Sequence, residues 1–268
     1  MNGKGVPMLS LRHRVVIEGV LSCKTALHVG SGEEGVAAAD KGVMKSGDGV
    51  PFVPGSSLKG VFRSTAERLA EFVGMTACLL EPHAQCVTAD QKKGEAARKQ
   101  IKDATGAAVD GLVAANACDI CRFFGGPLAA GRISFTDAVI DPASWPGRVE
   151  VRDGVGLDRD SRTAVERIKF NFEVVPAGAR FRIRIVAENA TNQERALLWA
   201  VLLEWSRGFK LGGMTSRGLG DVVLEDVKAQ EYDLTTVAGR RALVLGDPGK
   251  TIDEASMRAA VESAVVGN

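Results

Sequence analysis

Four of the five cysteines lie in a polar stretch, residues 74–130, that has little apolar material of its own. They are Cys78, Cys86, Cys118 and Cys121, and the last two form a CxxC pair. Thiolates in this number suit zinc, and a tetrahedral site would hold together a segment that lacks a core. The sequence therefore predicts a structural zinc site, in which His83 could replace one cysteine. Buried free thiols are the alternative.

A second group of chemically capable residues opens the helical pattern in VPFVPGSSLKGVFRSTAERL (50–69). Two serines offer capping hydroxyls, and two cations four residues apart share one face: Ser56, Ser57, Lys59 and Arg63. The dipole of the helix disfavours positive charge there, whereas a phosphate would satisfy the free N–H groups and both cations. The alternative is a solvated face on which Arg63 pairs with Glu67.

Two glycine-rich loops could bind an anion. LGGMTSRGLG (211–220) could form a nest of backbone N–H groups, or it could be a flexible turn. Its candidate contacts are Gly212, Gly213, Thr215 and Arg217. GSGEEG (30–35) matches the GxGxxG dinucleotide pattern, but the residues after it are too few and too rich in glycine for the required helix. A dinucleotide enzyme is therefore disfavoured.

Asp40 follows that loop and could serve as a general base, as a metal ligand or simply as a turn residue. Glu33, Glu34 and Asp48 are close in sequence, although nothing shows that they converge on Asp40. Residues 151–170 contain Arg159 and Arg162 among nearly as many acids. This pattern is typical of a solvated loop, or of an extended hairpin that grips a partner.

The elements that must position these residues follow from hydrophobic periodicity. Without the insertions they read strand, helix, strand, strand, helix, strand, which is the ferredoxin-like order of an α+β fold. We expect Thr191 or Asn192 to cap the second helix and Gly208 to end it. The strands are predicted within 14–29, 131–140, the hairpin-like run 170–190 and 221–233, and the helices over 57–73 and 194–207.

Composition limits the class of protein. The chain has 268 residues and a net charge of +1, so it carries no global signal for nucleic acid. The longest apolar run, Ala196–Leu203, is too short to span a membrane, and the N-terminus lacks the apolar segment of a signal peptide. We therefore expect a cytoplasmic protein.

Six stretches, in this order, resemble the backbone subunits of type III CRISPR effector complexes, which belong to the RAMP superfamily. The resemblance covers about residues 14–225 and leaves out the last part of the chain. The stretches are LHVGSGEEG…AAADKGV, VPFVPGSSLKGVFRSTAE, CDICRFFGGP, GRISFTDA, GVGLDRDSRTA…FNFEVVPAGARF and LGGMTSRGLG.

The resemblance implies a modified RRM, or ferredoxin-like (βαββαβ), domain over 10–235 and a C-terminal tail over 236–268. Within that domain it implies a zinc-binding insertion at 74–130 and a thumb β-hairpin at 148–172. Copies of such subunits stack along a CRISPR RNA, beside paralogous RAMP subunits and the large and small subunits of the effector. The thumb kinks the RNA at regular intervals.

The resemblance also implies roles for individual residues. PGSSLKG and the loop 211–220 would follow the guide backbone, His28 would contact RNA, and the thumb would bring Arg159 and Arg162. Asp40 matches the loop aspartate that cleaves target RNA with Mg²⁺ or Mn²⁺. Two alternatives stay open: a non-catalytic scaffold of the same complex, and an endoribonuclease that matures the guide with His28 as general acid–base.

Overall fold

The computed structural model describes residues 10–34, 39–78, 86, 91–105 and 107–265. The strands are β1 (His13–Cys23), β2 (Gly30–Glu34), β3 (Lys41–Val43), β4 (Phe52–Val53), β5 (Ile133–Phe135), β6 (Ala138–Ile140), β7 (Glu150–Leu157), β8 (Ala164–Val174), β9 (Arg180–Glu188), β10 (Phe209–Lys210), β11 (Asp221–Asp233) and β12 (Lys250–Ile252). The helices are α1 (Gly55–Leu69), α2 (Gln91–Asp103), α3 (Ala107–Asn116), α4 (Asp119–Phe124), α5 (Asn192–Arg207), α6 (Val237–Leu245) and α7 (Glu254–Ala264).

The main sheet is antiparallel and gives the α+β core that the periodicity predicts. Its strands run β10-β11-β1-β9-β6-β4, with β5 also on β9 and β12 also on β11. Counted along the core elements, β11, β1, β9 and β6 are the fourth, first, third and second strands, which is the ferredoxin-like order. Long alternating strands form its centre, because β1 pairs with β9 on one side and β11 on the other.

Helices α1 and α5 share one apolar core with the main sheet. The rings of Phe62 on α1 and Trp205 on α5 lie 5.0 Å apart, edge to face. Thr191 caps α5 and forms a capping box with Glu194, and Gly208 follows its last turn, as predicted. The first helix begins earlier than predicted, at Gly55, and residues 71–73 form a separate 3₁₀ turn.

A second sheet, ordered β2-β3-β8-β7, corrects one prediction about strand pairing. The run 170–190 does contain two strands, but they are not a hairpin with each other. β8 pairs antiparallel with β7 and parallel with β3, whereas β9 belongs to the main sheet. Alternation reveals that a segment is a strand, yet it does not identify the partner strand.

The segment set apart as a C-terminal tail, 236–268, packs on the core as far as it is described. β12 extends the main sheet beside β11, and Ile252 and Met257 are buried in the same apolar core as α5. Across the described ranges, no helix combines the length and the apolar character that a bilayer crossing requires.

Candidate functional site

Asp40 lies at the start of β3, and Asn171 on β8 holds it in place. The backbone N–H of Asp40 donates to Asn171 Oδ1 at 2.6 Å, and the backbone N–H of Asn171 donates to Asp40 Oδ2 at 2.8 Å. The Asp40 side chain is exposed. These reciprocal bonds fix both the backbone and one carboxylate oxygen of Asp40, which leaves the carboxylate accessible to a ligand.

Two residues farther along β8, Glu173 secures the rest of β3. Its carboxylate is buried, accepts from the backbone N–H of Val43 at 3.1 Å and pairs with Lys45 Nζ at 2.8 Å. A buried carboxylate needs such partners, since an unpaired one would be costly. β8 therefore registers the loop that carries Asp40 at two points, through Asn171 and Glu173.

Two aromatic side chains occupy alternate positions of β8. The Phe170 and Phe172 rings lie 6.0 Å apart, and Lys41 Nζ lies 5.5 Å from the Phe170 ring centre. Phe170 also covers Gly154 on the paired strand β7, where a Cβ would come within 2.4 Å of the ring. Gly154 therefore leaves room for the ring, and Lys41, the residue after Asp40 in the sequence, places its charge near the face of that ring.

The predicted RNA contact His28 is buried at 6% exposure. Its Nδ1 lies 2.7 Å from the Glu173 carbonyl oxygen, and its ring meets Phe172 edge to face at 5.9 Å. These contacts join His28 to β8 and favour a structural role. They also weaken the guide-maturation alternative, because a general acid–base must reach its substrate. The RNA contact of His28 stays a prediction.

The second glycine loop packs against His28 from the other side. The N–H of Gly213 donates to the His28 carbonyl at 2.8 Å, and a Cβ on Gly212 would come within 2.3 Å of the same oxygen. Gly212 also has φ +80°, so both space and backbone conformation require glycine there. Gly212, Gly213 and Arg217 are exposed, and Thr215 is half-buried.

A small second core joins this loop to β8. It is separate from the main core and contains Ala26, Phe172, Val174 and Leu219, with Phe170 and Met214 against it. The loop around 212–217 and the Asp40 segment therefore sit on one support, β8. The structure brings together Asp40, His28, Gly212 and Gly213 in this way, although it does not show what they bind.

The start of α1 differs from the sequence prediction. Ser56 and Ser57 lie inside the first turn and cap nothing, because the helix begins at Gly55 after Pro54. The N–H of Gly55 instead donates to the carboxylate of Asp137, from the β5–β6 turn, at 2.7 Å. The chain itself thus supplies an anion at this helix terminus.

The two cations of α1 also find different surroundings. Arg63 donates to Glu67 Oε1 at 2.8 Å, to the Gly125 carbonyl at 3.0 Å and to Cys121 Sγ at 3.3 Å. The pairing with Glu67 is the one expected if this face of α1 binds no phosphate. The other two bonds connect α1 to the cysteine segment. Lys59 is half-buried, and burial followed by the charge of Arg63 lowers its pKa.

The four cysteines come together as a candidate metal centre. Their sulfur atoms, from Cys78, Cys86, Cys118 and Cys121, all lie within 4.8 Å of one another. Cys118 is the N-cap of α4 and accepts from the N–H of Cys121 at 3.4 Å, and its own N–H donates to Cys86 Sγ at 3.1 Å. The CxxC spacing places both thiols on the first turn of this short helix.

The sulfur positions fit a tetrahedral metal ion. Four Zn–S bonds of about 2.3 Å put the sulfurs about 3.8 Å apart, and the contact between Cys78 and Cys121 is 3.4 Å. Burial raises the pKa of Cys86 to about 11 and also raises the pKa of Cys121. At Cys78 burial acts in the same direction, but hydrogen bonds from Cys86, Cys121 and Cys118 lower its pKa overall. Four ionised thiols therefore need a cation between them, so the cluster could hold a metal.

The model of the RAMP superfamily matches residues 20–223, which include the Asp40 segment, the cysteines, β8 and the glycine loop. The chain belongs to the RAMP superfamily. It is also similar to the CRISPR system Cms endoribonuclease Csm3 of Methanocaldococcus jannaschii, with 25% identity over 236 residues that cover 82% of each chain.

In this RAMP protein β7 and β8 form an antiparallel pair whose tip carries Arg159 and Arg162. Both arginines are exposed. Asp158 shapes the tip by accepting from the N–H of Ser161 at 2.7 Å and from its hydroxyl at 2.9 Å. This pair occupies the segment expected to form the thumb, and its action on RNA stays a prediction.

Sequence reasoning missed the residues that hold the candidate site from a distance. Asn171, Glu173 and Asp137 gave no local signal, because each meets its partner across a long stretch of chain. Asp48 belongs to its own turn with Ser46, and nothing in the described residues brings it to Asp40. His83 and the side chains of Glu33 and Glu34 lie outside the described residues.

Proposed function

We propose that this RAMP protein is a guide-binding backbone subunit of a type III CRISPR effector complex and that it cleaves target RNA through Asp40. Its family membership and its likeness to a protein named a CRISPR endoribonuclease support the proposal. The protein would act in the cytoplasm. Its partners would be CRISPR RNA, target RNA and the other subunits of the effector complex. The coverage of 82% of each chain makes the whole relative the appropriate comparison.

The catalytic part of the proposal is supported chiefly by the exposure and fixed orientation of the Asp40 carboxylate. The Asp40 side chain is exposed, and one carboxylate oxygen is held by the Asn171 N–H. An exposed carboxylate with a fixed orientation suits the acceptance of a proton from a substrate hydroxyl. Glu173, by contrast, is buried and paired with Lys45, so it is a structural carboxylate.

The proposed reaction is an internal transesterification. The 2′-OH attacks the adjacent phosphorus, the new bond is P–O2′ and the bond that breaks is P–O5′. Asp40 accepts the 2′-OH proton, and water protonates the leaving 5′-oxygen, so the products are a 2′,3′-cyclic phosphate and a 5′-OH. Alternatively, Asp40 could hold Mg²⁺ or Mn²⁺, which would supply Lewis-acid stabilisation of the charge of the transition state.

The glycine loop and the hairpin tip supply the proposed guide contacts. Gly212, Gly213 and Arg217 are exposed along the loop, and Arg159 and Arg162 are exposed at the tip. Arginines contact phosphates without selecting a sequence, as a subunit that accepts many guides requires. Backbone N–H groups of the loop could do the same where no protein carbonyl engages them, unlike that of Gly213, which donates to the His28 carbonyl. The cysteine cluster holds a structural zinc ion in this proposal. Arg63 is not included among the guide contacts, because protein groups already engage its guanidinium.

The test is target-RNA cleavage by the reconstituted, guide-loaded complex with wild-type protein, Asp40→Ala and Asp40→Asn. Asp40→Asn keeps an oxygen that can accept from the Asn171 N–H while it removes the base. We expect each variant to slow cleavage by about 10²-fold or more at unchanged target affinity. Chelating Mg²⁺ should also slow the wild type, and mass spectrometry should identify cyclic phosphate ends.

Asp48→Ala is the matched control, since Asp48 is an exposed aspartate eight positions away that engages Ser46. It should cleave as the wild type does. Equal cleavage by Asp40→Ala would place the chemistry elsewhere. If the wild-type complex binds guide and target but never cuts, this chain is the scaffold of the alternative hypothesis.

A further inference from the structure

The contact between Asp40 and Asn171 joins two segments that are 131 positions apart. The Asn171 amide oxygen accepts from the Asp40 N–H at 2.6 Å, and the Asn171 N–H donates to Asp40 Oδ2 at 2.8 Å. Any residue at position 171 would supply the backbone N–H. Only a side chain with an acceptor at the right reach supplies the first bond, so that bond depends on asparagine.

The rest of the Asp40 segment is held more sparsely than a long strand would be. Lys41 and Phe172 are the registered pair between β3 and β8, which run parallel. β2 pairs with the opposite edge of β3. On the β8 side, side chains add two further anchors, Asn171 at the Asp40 N–H and Glu173 at the Val43 N–H. The orientation of Asp40 therefore depends on alternate side chains of β8.

β8 is also one strand of the β7–β8 hairpin. Among the described residues no hydrogen bond reaches Asp40 Oδ1, whereas Oδ2 accepts from the Asn171 N–H of β8. A shift of the hairpin would thus move the carboxylate with it. A misplacement of about 1 Å at a reacting group can cost about 10²-fold in rate.

We propose that Asn171 is the positioning residue that fixes the Asp40 carboxylate relative to the β7–β8 hairpin. The inference rests on the proposed function, in which Asp40 is the catalytic residue. Through its amide oxygen Asn171 sets the direction of Asp40 Oδ1, and through β8 it couples that direction to the hairpin that contacts RNA. Cleavage then occurs only where the hairpin has seated the RNA backbone beside Asp40.

The experiment compares Asn171→Ala and Asn171→Asp in the guide-loaded complex, with target affinity and single-turnover cleavage at saturating target measured separately. Asn171→Ala removes the acceptor and should slow cleavage about 10- to 100-fold, with target affinity changed less than about twofold. Asn171→Asp keeps an acceptor oxygen for the Asp40 N–H and loses the amide donors. Its cleavage rate should exceed that of Asn171→Ala by at least about tenfold.

Hydrogen exchange of the assembled complex gives a readout that does not depend on activity. The Asp40–Val43 segment should exchange faster in Asn171→Ala than in Asn171→Asp or the wild type. Asn192→Ala is the control, because Asn192 accepts from Arg195 at the start of α5, in another part of the fold. If Asn171→Ala does not assemble, Asn171→Ser, whose hydroxyl is too short for the same bond, replaces it.

The outcomes separate this inference from the proposed function. Full cleavage by Asn171→Ala, with Asp40→Asn inactive, overturns the positioning role and leaves Asp40 catalytic. Weak target binding and slow cleavage in both Asn171 variants would mean that the amide touches RNA directly, which also overturns it. Full cleavage by Asp40→Asn overturns the proposed function itself.

Discussion

The first turns of α1 and the loop 212–218 carry similar sequence signals and differ in structure. Both combine glycine, serine and a basic side chain, and both are predicted to follow an RNA backbone. At α1 the chain fills the position itself, since Asp137 binds the Gly55 N–H and Arg63 has three protein partners. In the loop the Gly213 N–H is likewise bound by the protein, at the His28 carbonyl, but the Arg217 side chain is exposed.

The difference shows that a local pattern identifies groups able to bind an anion, whereas long-range neighbours decide which groups remain available. Gly55 lies against the β5–β6 turn, where a Cβ would come within 2.5 Å of the Phe135 carbonyl. Gly212 lies equally close to the His28 carbonyl, but there the opposite side of the loop faces solvent. The Gly55 N–H and the Arg63 guanidinium are therefore engaged by the protein, so Arg217 in the loop is the better candidate for RNA contact than Arg63. The RNA contacts of Ser56, Ser57 and Lys59 stay predictions.

The severest test of the structural role at α1 removes a ligand from the candidate metal centre, which Arg63 contacts through Cys121. Cys118→Ser should lose about one equivalent of zinc per chain and lower the free energy of unfolding by about 4 kcal/mol or more, because the metal closes a segment with little core. Elemental analysis and urea unfolding measure the two effects. Cys23→Ala, at the buried cysteine outside the cluster, should keep its zinc. Cys118→Ser with full zinc content would contradict the metal assignment.

Two glycines of the loop provide a matched pair for the next largest effect. Gly212 and Gly218 have φ of +80° and +86°, but a Cβ on Gly218 meets nothing within 4 Å. Gly218→Ala should cost about 1 kcal/mol from backbone strain alone, and Gly212→Ala about 2 kcal/mol more because of the clash with His28. Urea midpoints compare them, and equal losses would show that the loop does not press on His28.

Arginine substitutions in the two regions should have the smallest effects, on guide affinity in the loop and on stability in α1. Arg217→Ala should weaken guide RNA binding about fivefold, or about 1 kcal/mol, and make the salt slope shallower by about 0.7. Arg63→Ala should leave guide affinity unchanged but lower the free energy of unfolding by about 1–2 kcal/mol through lost hydrogen bonds. Affinity titrations over a range of salt concentrations measure guide binding by both variants. Weaker guide binding by Arg63→Ala, with unchanged binding by Arg217→Ala, would place the guide contact at α1 instead.

Local patterns predicted the elements well. Alternation located β1, β9 and β11, and the core order of strands and helices followed from it. Thr191 and Gly208 marked the ends of α5 because capping depends on neighbouring residues. The type and number of the cysteines likewise pointed to the group of sulfurs that the structure brings together.

Long-range contacts limited the rest. Gly55 and its cap Asp137 are 82 positions apart, so the serines beside the helix start gave a wrong expectation about capping. β8 pairs with β3 and β7 and not with β9, the strand that follows the adjacent turn. The expected pairing within 170–190 was therefore wrong. Asn171 looks like an ordinary strand residue until its contact with Asp40 is seen.

The anchoring of β3 on β8 limits how such proteins can exchange parts. Residues 40–45 and 171–173 are far apart in sequence, yet they share the bonds of Asn171 and Glu173. A chimera with its breakpoint between them would pair one parent's loop with the other parent's strand and leave a buried carboxylate without its lysine. Grafting the Asp40 loop from a relative therefore requires both segments.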